Sequence, residues 1–145
     1  MDKLAKEGTA CIELPKTHME GLDFSFSGIK TAIINLHHKN PEVNKADLCA
    51  SFEKYVTDIL LTNTLKAAEE VGTKKIALAG GVSANSYIRQ SFIDLEKQGY
   101  EIYYPEPILC TDNAAMIASA GYYQFINGSE KADLTLNAIP NLKIG

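Results

Sequence analysis

Lys75-Ile76-Ala77-Leu78-Ala79-Gly80-Gly81-Val82-Ser83-Ala84-Asn85 is the stretch from which the fold is read. Its short apolar run suits a strand buried in a parallel sheet. It ends on paired glycines and a serine that can cap a following helix. Strand, tight turn and helix open one α/β unit, and the pattern then repeats. A helix over 84–97, stopped by Gly99, leads to a second strand at Glu101-Ile102-Tyr103-Tyr104-Pro105. After it, Cys110-Thr111-Asp112-Asn113-Ala114-Ala115-Met116 opens a last helix, which runs from Thr111 to Asn127 before Gly128. Two strands joined through a helix imply a parallel pair with a right-handed crossover. Each strand-to-helix junction is a rim where loop amides and helix N-termini meet ligands. Two rims roughly 30 residues apart, the βαβ repeat, can face one crevice. That points to nucleotide-type chemistry.

Upstream of this pair, the longest apolar stripe lies between about 45 and 71: Leu48, Phe52, Val56, Ile59, Leu60, Ala67 and Val71 recur at steps of three and four. Gly72 is its expected stop. A shorter helix is expected over 28–39, closed by Asn40-Pro41 because the residue before proline avoids the α region. Residues 1–8 read as the end of a helix stopped at Gly8, and 9–15 as a short edge strand ending at Pro15. The tail, 129–145, has no periodicity and reads as an extension. Two good strands and one weak one make a thin parallel sheet, so the chain reads as a single α/β piece of a larger fold.

With 145 residues, 46% of them hydrophobic and 22% charged, the composition is that of a globular domain with a real core. No run of about 18 apolar residues offers a membrane span. The N-terminus lacks the apolar centre of a signal peptide, so a cytoplasmic location is the default expectation. Cys11, Cys49 and Cys110 form no CxxC pair and read as reduced core thiols. Cys110, beside Thr111 and Asp112, has a second reading as a nucleophile at a helix start, which no neighbouring histidine supports. The net charge is −4, and the 14 basic residues include a single arginine, Arg89. That is not the basic footprint of a free-standing nucleic-acid binder.

Each rim admits two readings. In the first, Gly80 and Gly81 let backbone approach a ligand, the amides of Gly81 through Asn85 face an anion, and Asn85 offers a donor and an acceptor to a ribose or acyl group. In the second, this is a tight turn with Ser83 as cap, and Val82 continues the apolar packing. Likewise Asp112 is either a metal-ligating carboxylate or an acid favoured by the helix dipole behind a Thr111 cap. Ala114, Ala115 and Ala118 would let that helix pack closely. Asp23-Phe24-Ser25-Phe26-Ser27-Gly28 has serines but no base, and reads as core aromatics flanking a helix cap. His18, His37 and His38 form no metal set, and no HExxH is present.

Taken together, Phe24 to Ala32, Gly80 to Asn85 and Cys110 to Ala118 resemble, in order and spacing, three motifs of the tRNA adenosine threonylcarbamoyltransferases, long labelled O-sialoglycoprotein endopeptidases. The resemblance covers about residues 1–127. It implies the C-terminal portion of an actin/Hsp70-like (RNase H-like) two-lobe fold, with a short, mostly parallel sheet packed by long helices. By motif, Asn85 resembles the residue that bonds the adenylate substrate, Gly80 and Gly81 the floor beneath it, and Asp112 a metal ligand. The implied reaction moves a threonylcarbamoyl group from threonylcarbamoyl-AMP to the amine of the adenosine beside the anticodon. It would be assisted by one divalent ion, iron or zinc, as Lewis acid. The implied partners are tRNA and other proteins of the threonylcarbamoyl pathway, with no membrane. The family's metal-binding histidine pair and first glycine-rich loop have no counterpart here, so the fragment alone is expected to be inactive. The competing readings are a nucleotide-binding or protein-interaction module without catalysis and, last, a glycoprotease, for which no nucleophile–base pair or zinc signature is present.

Overall fold

The computed structural model describes residues 1–15, 21–129 and 131–140. The chain divides into two compact units, Met1–Thr111 and Asp112–Gly145.

The first unit is built on a 27-residue helix, α3 (Lys45–Val71). Asn44 starts it by accepting the Ala46 and Asp47 amides at 2.8 and 3.3 Å, and Gly72 ends it in the left-handed region at φ 72°. The three-and-four stripe thus becomes one helix with the expected bounds. Before it come α1 (Asp2–Ala5) and α2 (Phe26–Lys39); after it come β1 (Lys75–Ala77), α4 (Ser86–Ile93) and β2 (Glu101–Tyr103). The strands pair in parallel, Lys75 opposite Glu101 and Ile76 opposite Ile102. Ile76 and Ile102 point inward and join Val56 of α3 with Ile88, Phe92 and Leu95 of the α4 region in one buried cluster. One sheet face therefore rests on α3 and α4, while Lys75, Ala77, Glu101 and Tyr103 alternate to the exposed side. The expected helix over 84–97 is shorter: α4 gives way at Asp94 to a 3₁₀ turn through Gln98, closed by Gly99 at φ 83°.

Residues 9–15 are not an edge strand. They run along α3 and take its side chains as hydrogen-bond partners. The Thr9 amide donates to Asp47 Oδ1 (2.8 Å), the Ile12 amide to Ser51 Oγ (3.0 Å), and the Tyr55 hydroxyl to the Pro15 carbonyl (3.0 Å). An extended segment needs partners for its backbone but not necessarily a strand. Just before it, Gly8 sits so close to α3 that a Cβ there would lie 2.2 Å from the Ala46 carbonyl carbon and oxygen. The helix itself stops earlier than expected, at Ala5 with Lys6 as its C-cap, so Gly8 is required by this contact and not as the helix stop.

Phe24 and Phe26 are not core aromatics. They stack on each other at 5.7 Å between centroids, both more than 40% exposed, and α2 begins at Phe26, earlier than expected. The loop before it is pinned to α3, where the Asn63 side-chain amide donates to the carbonyls of Leu22 and Asp23. His18 lies outside the described residues.

The second unit contains α5 (Ala114–Ile126). None of its residues is buried, the three alanines expected to pack closely included. Residues 131–140 form neither helix nor strand. Among the described residues no helix is long and apolar enough to cross a membrane.

Candidate functional site

The turn after β1 is held by its own backbone. Gly80 has φ 82° and ψ 166°, a region only glycine occupies comfortably. Its carbonyl accepts both the Ser83 amide (3.0 Å) and the Ser83 hydroxyl (2.7 Å), and the Asn85 amide donates to the Val82 carbonyl (3.0 Å). Two of the amides expected to face an anion, those of Ser83 and Asn85, are therefore used inside the turn. Ser83 is not the helix cap. That role falls to Asn85, whose Oδ1 accepts the Ile88 amide at 2.9 Å. Val82 does not continue the packing and is 64% exposed.

The remaining polar end of Asn85, Nδ2, donates to Glu53 Oε1 at 2.5 Å. Glu53 is a buried carboxylate on α3. Sequence reading missed it, although the signal was there: Glu53, Val56, Thr57 and Leu60 share one helical face, so a charge lies on the apolar stripe. Beside this pair, the Ser86 hydroxyl donates to Asp2 Oδ1 at 2.7 Å and ties α1 to the first turn of α4. That bond holds the Asp2 carboxyl below its ordinary 3.8, opposed by burial and aided by the charge of Lys6. A cleft of about 240 Å³ opens here, with Glu53, Lys6, Lys54 and Ser86 in its wall. Gly80 and Gly81 are not part of that wall.

The second rim, 104–111, lies against the first. A Cβ on Gly81 would sit 3.7 Å from the Thr111 methyl. Arg89, on α4, donates to the Ser83 carbonyl on one side and to the Pro105 carbonyl and Cys110 Sγ on the other. Cys110 is buried, 3% exposed, with its sulfur also 3.6 Å from the Glu106 carbonyl. It serves as a packed core thiol. Cys11 and Cys49 are free as well, but they are not core thiols as expected: Cys11 is exposed and Cys49 only half-buried.

Asp112 belongs to the second unit and is exposed. The cap of α5 is Asn113, whose Oδ1 accepts the Met116 amide at 3.0 Å, and not Thr111. Among the described residues, no three His, Cys, Asp or Glu side chains gather around one point as a metal site would require. Asp112 can thus supply one ligand and no more, and the described residues do not by themselves fit a metal ion.

The glycine-built turn lies just past the carboxyl end of β1, the place where open α/β sheets in general meet their ligands. Residues 1–119 match the TsaD family, described as tRNA N6-adenosine threonylcarbamoyltransferase, and the chain belongs to that family. Proteins of that name are 50% identical to it in Clostridium beijerinckii, 47% in Clostridium perfringens and 48% in Clostridium botulinum. Each match covers the whole of this chain and 45% of the relative. The chain therefore spans less than half the length of the curated relatives it matches.

Proposed function

We propose that the chain is the C-terminal part of a two-lobe, actin/Hsp70-like transferase. The whole protein would move a threonylcarbamoyl group from threonylcarbamoyl-AMP to the adenosine beside the anticodon of tRNA, in the cytoplasm and with other proteins of that pathway. The observation that carries this reading is the family match across residues 1–119, which takes in the Gly80–Asn85 turn at the end of β1.

In this reading the Gly80–Asn85 turn binds the adenylate. Gly81 has no Cβ, so backbone can lie against the nucleotide. Asn85 keeps capacity after its two bonds: one Nδ2 proton beyond that given to Glu53, and one Oδ1 lone pair beyond that given to Ile88. Those would meet a ribose hydroxyl or the acyl group. Glu53 and Ile88 fix the amide's plane, so orientation is set before the ligand arrives. The tRNA amine attacks the carbonyl carbon, AMP leaves with the bonding electron pair, and the amine loses its proton. AMP is a good leaving group, so positioning carries much of the rate. Asp112 is proposed as one ligand of the divalent ion, iron or zinc, that supplies Lewis acidity when the site is complete.

The test is turnover. Purified alone, the chain is expected to transfer no threonylcarbamoyl group, and supplying the rest of the family protein is expected to restore transfer. Activity from the chain alone would overturn its reading as an incomplete part, and none from the complete protein would refute the transferase assignment. One observation favours a module with capped turns and no catalysis: Asn85 already caps α4. Calorimetric titration of the complete protein with AMP separates the two, because a merely capped turn gives no heat of binding.

A further inference from the structure

We propose that Arg89 is a positioning residue of the candidate site: its guanidinium locks the Gly80–Asn85 turn to the 104–110 loop and so sets the shape of the rim that receives the adenylate. This rests on the adenylate-binding reading of the turn. Three separate donors of one fork reach three targets. Nε donates to the Ser83 carbonyl at 3.1 Å, Nη1 to the Pro105 carbonyl at 2.9 Å and Nη2 to Cys110 Sγ at 3.0 Å. The flat face lies 5.1 Å from the Tyr104 ring centroid, so the plane of the fork is held as well as its donors. The Ser83 carbonyl belongs to the turn itself, two residues before Asn85. The other two acceptors belong to the loop after β2. One side chain therefore spans both rims.

Arginine is needed for this arrangement. A lysine ammonium offers three donors from a single point and cannot reach acceptors on opposite sides while stacking on a ring. It is also the only arginine in the chain. Its partners are two carbonyls and a thiol, and no ion pair with Asp or Glu occurs at Arg89 among the described residues.

The complete family protein, as parent and as Arg89→Lys, Cys110→Ser and Cys110→Ala, is titrated with AMP and assayed for transfer, with unfolding followed in parallel. Arg89→Lys is expected to weaken AMP binding and raise the KM for the adenylate donor on the order of tenfold to a hundredfold, the cost of a misplaced site. The KM for tRNA is expected to stay at the parent value. A mere loss of folded molecules would move neither KM. Cys110→Ser keeps an acceptor for Nη2 and is expected to bind AMP like the parent, whereas Cys110→Ala removes it and binds more weakly. If the parent binds AMP and Arg89→Lys binds it equally well, the inference is overturned while the adenylate reading stands. If the folded parent does not bind AMP, both fall. Should Arg89→Lys fail to fold, the cysteine pair decides, and equal affinities in Cys110→Ser and Cys110→Ala overturn the inference.

Discussion

The Asn85 side-chain amide donates to the buried Glu53 carboxylate, 32 positions earlier in the chain, while its carbonyl oxygen caps α4 at Ile88. One residue thus starts a helix and satisfies a buried acid. Asn85→Ala removes the cap, about 1 kcal/mol. It also strips a buried acceptor of its partner, about 1–3 kcal/mol more. Urea unfolding is expected to read roughly 2–4 kcal/mol lost. Glu53→Gln keeps an acceptor oxygen for Asn85 and is expected to cost much less. Equal losses in the two variants would show that the bond does not matter to the fold.

Gly80 and Gly81 separate fold from ligand. Gly80 holds a backbone conformation costing any other residue about 1–3 kcal/mol, so Gly80→Ala is expected to destabilise. At Gly81 the new methyl would meet only Thr111, at 3.7 Å, an ordinary contact. Gly81→Ala is therefore expected to unfold like the parent yet lose AMP affinity in calorimetry. Parent-like affinity would remove Gly81 from the site.

Gly8 tests the crossing of the N-terminal segment over α3. Its missing side chain would fall 2.2 Å from the Ala46 carbonyl, and backbone there cannot rotate away. Gly8→Ala is expected to destabilise by about 1–3 kcal/mol or more through overpacking. Unchanged stability in urea would contradict that crossing.

The Ser86 hydroxyl makes Asp2 a pH-sensitive contact. The Asp2 carboxyl lies below its ordinary 3.8, first because of the Ser86 bond. A depressed folded-state value means stability present above 3.8 and lost as pH falls through the lower folded value. Ser86→Ala is expected to bring the Asp2 titration, followed by carboxyl NMR, back up toward 3.8. The stability gap between parent and variant should close in acid. An identical titration in both proteins would refute it.

What was legible in the sequence is what is local. The α3 stripe, Gly72 and the two apolar runs each carry their signal within a few residues, and each element appears with those bounds or slightly shorter ones. The caps slipped by two residues, to Asn85 from Ser83 and to Asn113 from Thr111. Several capping residue types stand together at each site, and only geometry selects among them. Residues 9–15 alternate like a strand, but their hydrogen bonds go to Asp47 and Ser51, a pairing that sequence pattern does not encode. Glu53 and Arg89 act across 32 and 21 positions, and were hinted at only by a charge on an apolar face and by being the single arginine.

At 27 residues, α3 is a rod of about 40 Å. Asp47, Ser51 and Tyr55 key the 9–15 strap onto it at successive turns, Glu53 the turn at Asn85, and Asn63 the loop at 22–23. A key cut at so many heights cannot slip by one notch without springing every ward at once. The register of this one helix therefore sets the placement of the strap at 9–15, the loop at 22–23 and the turn at Asn85 together.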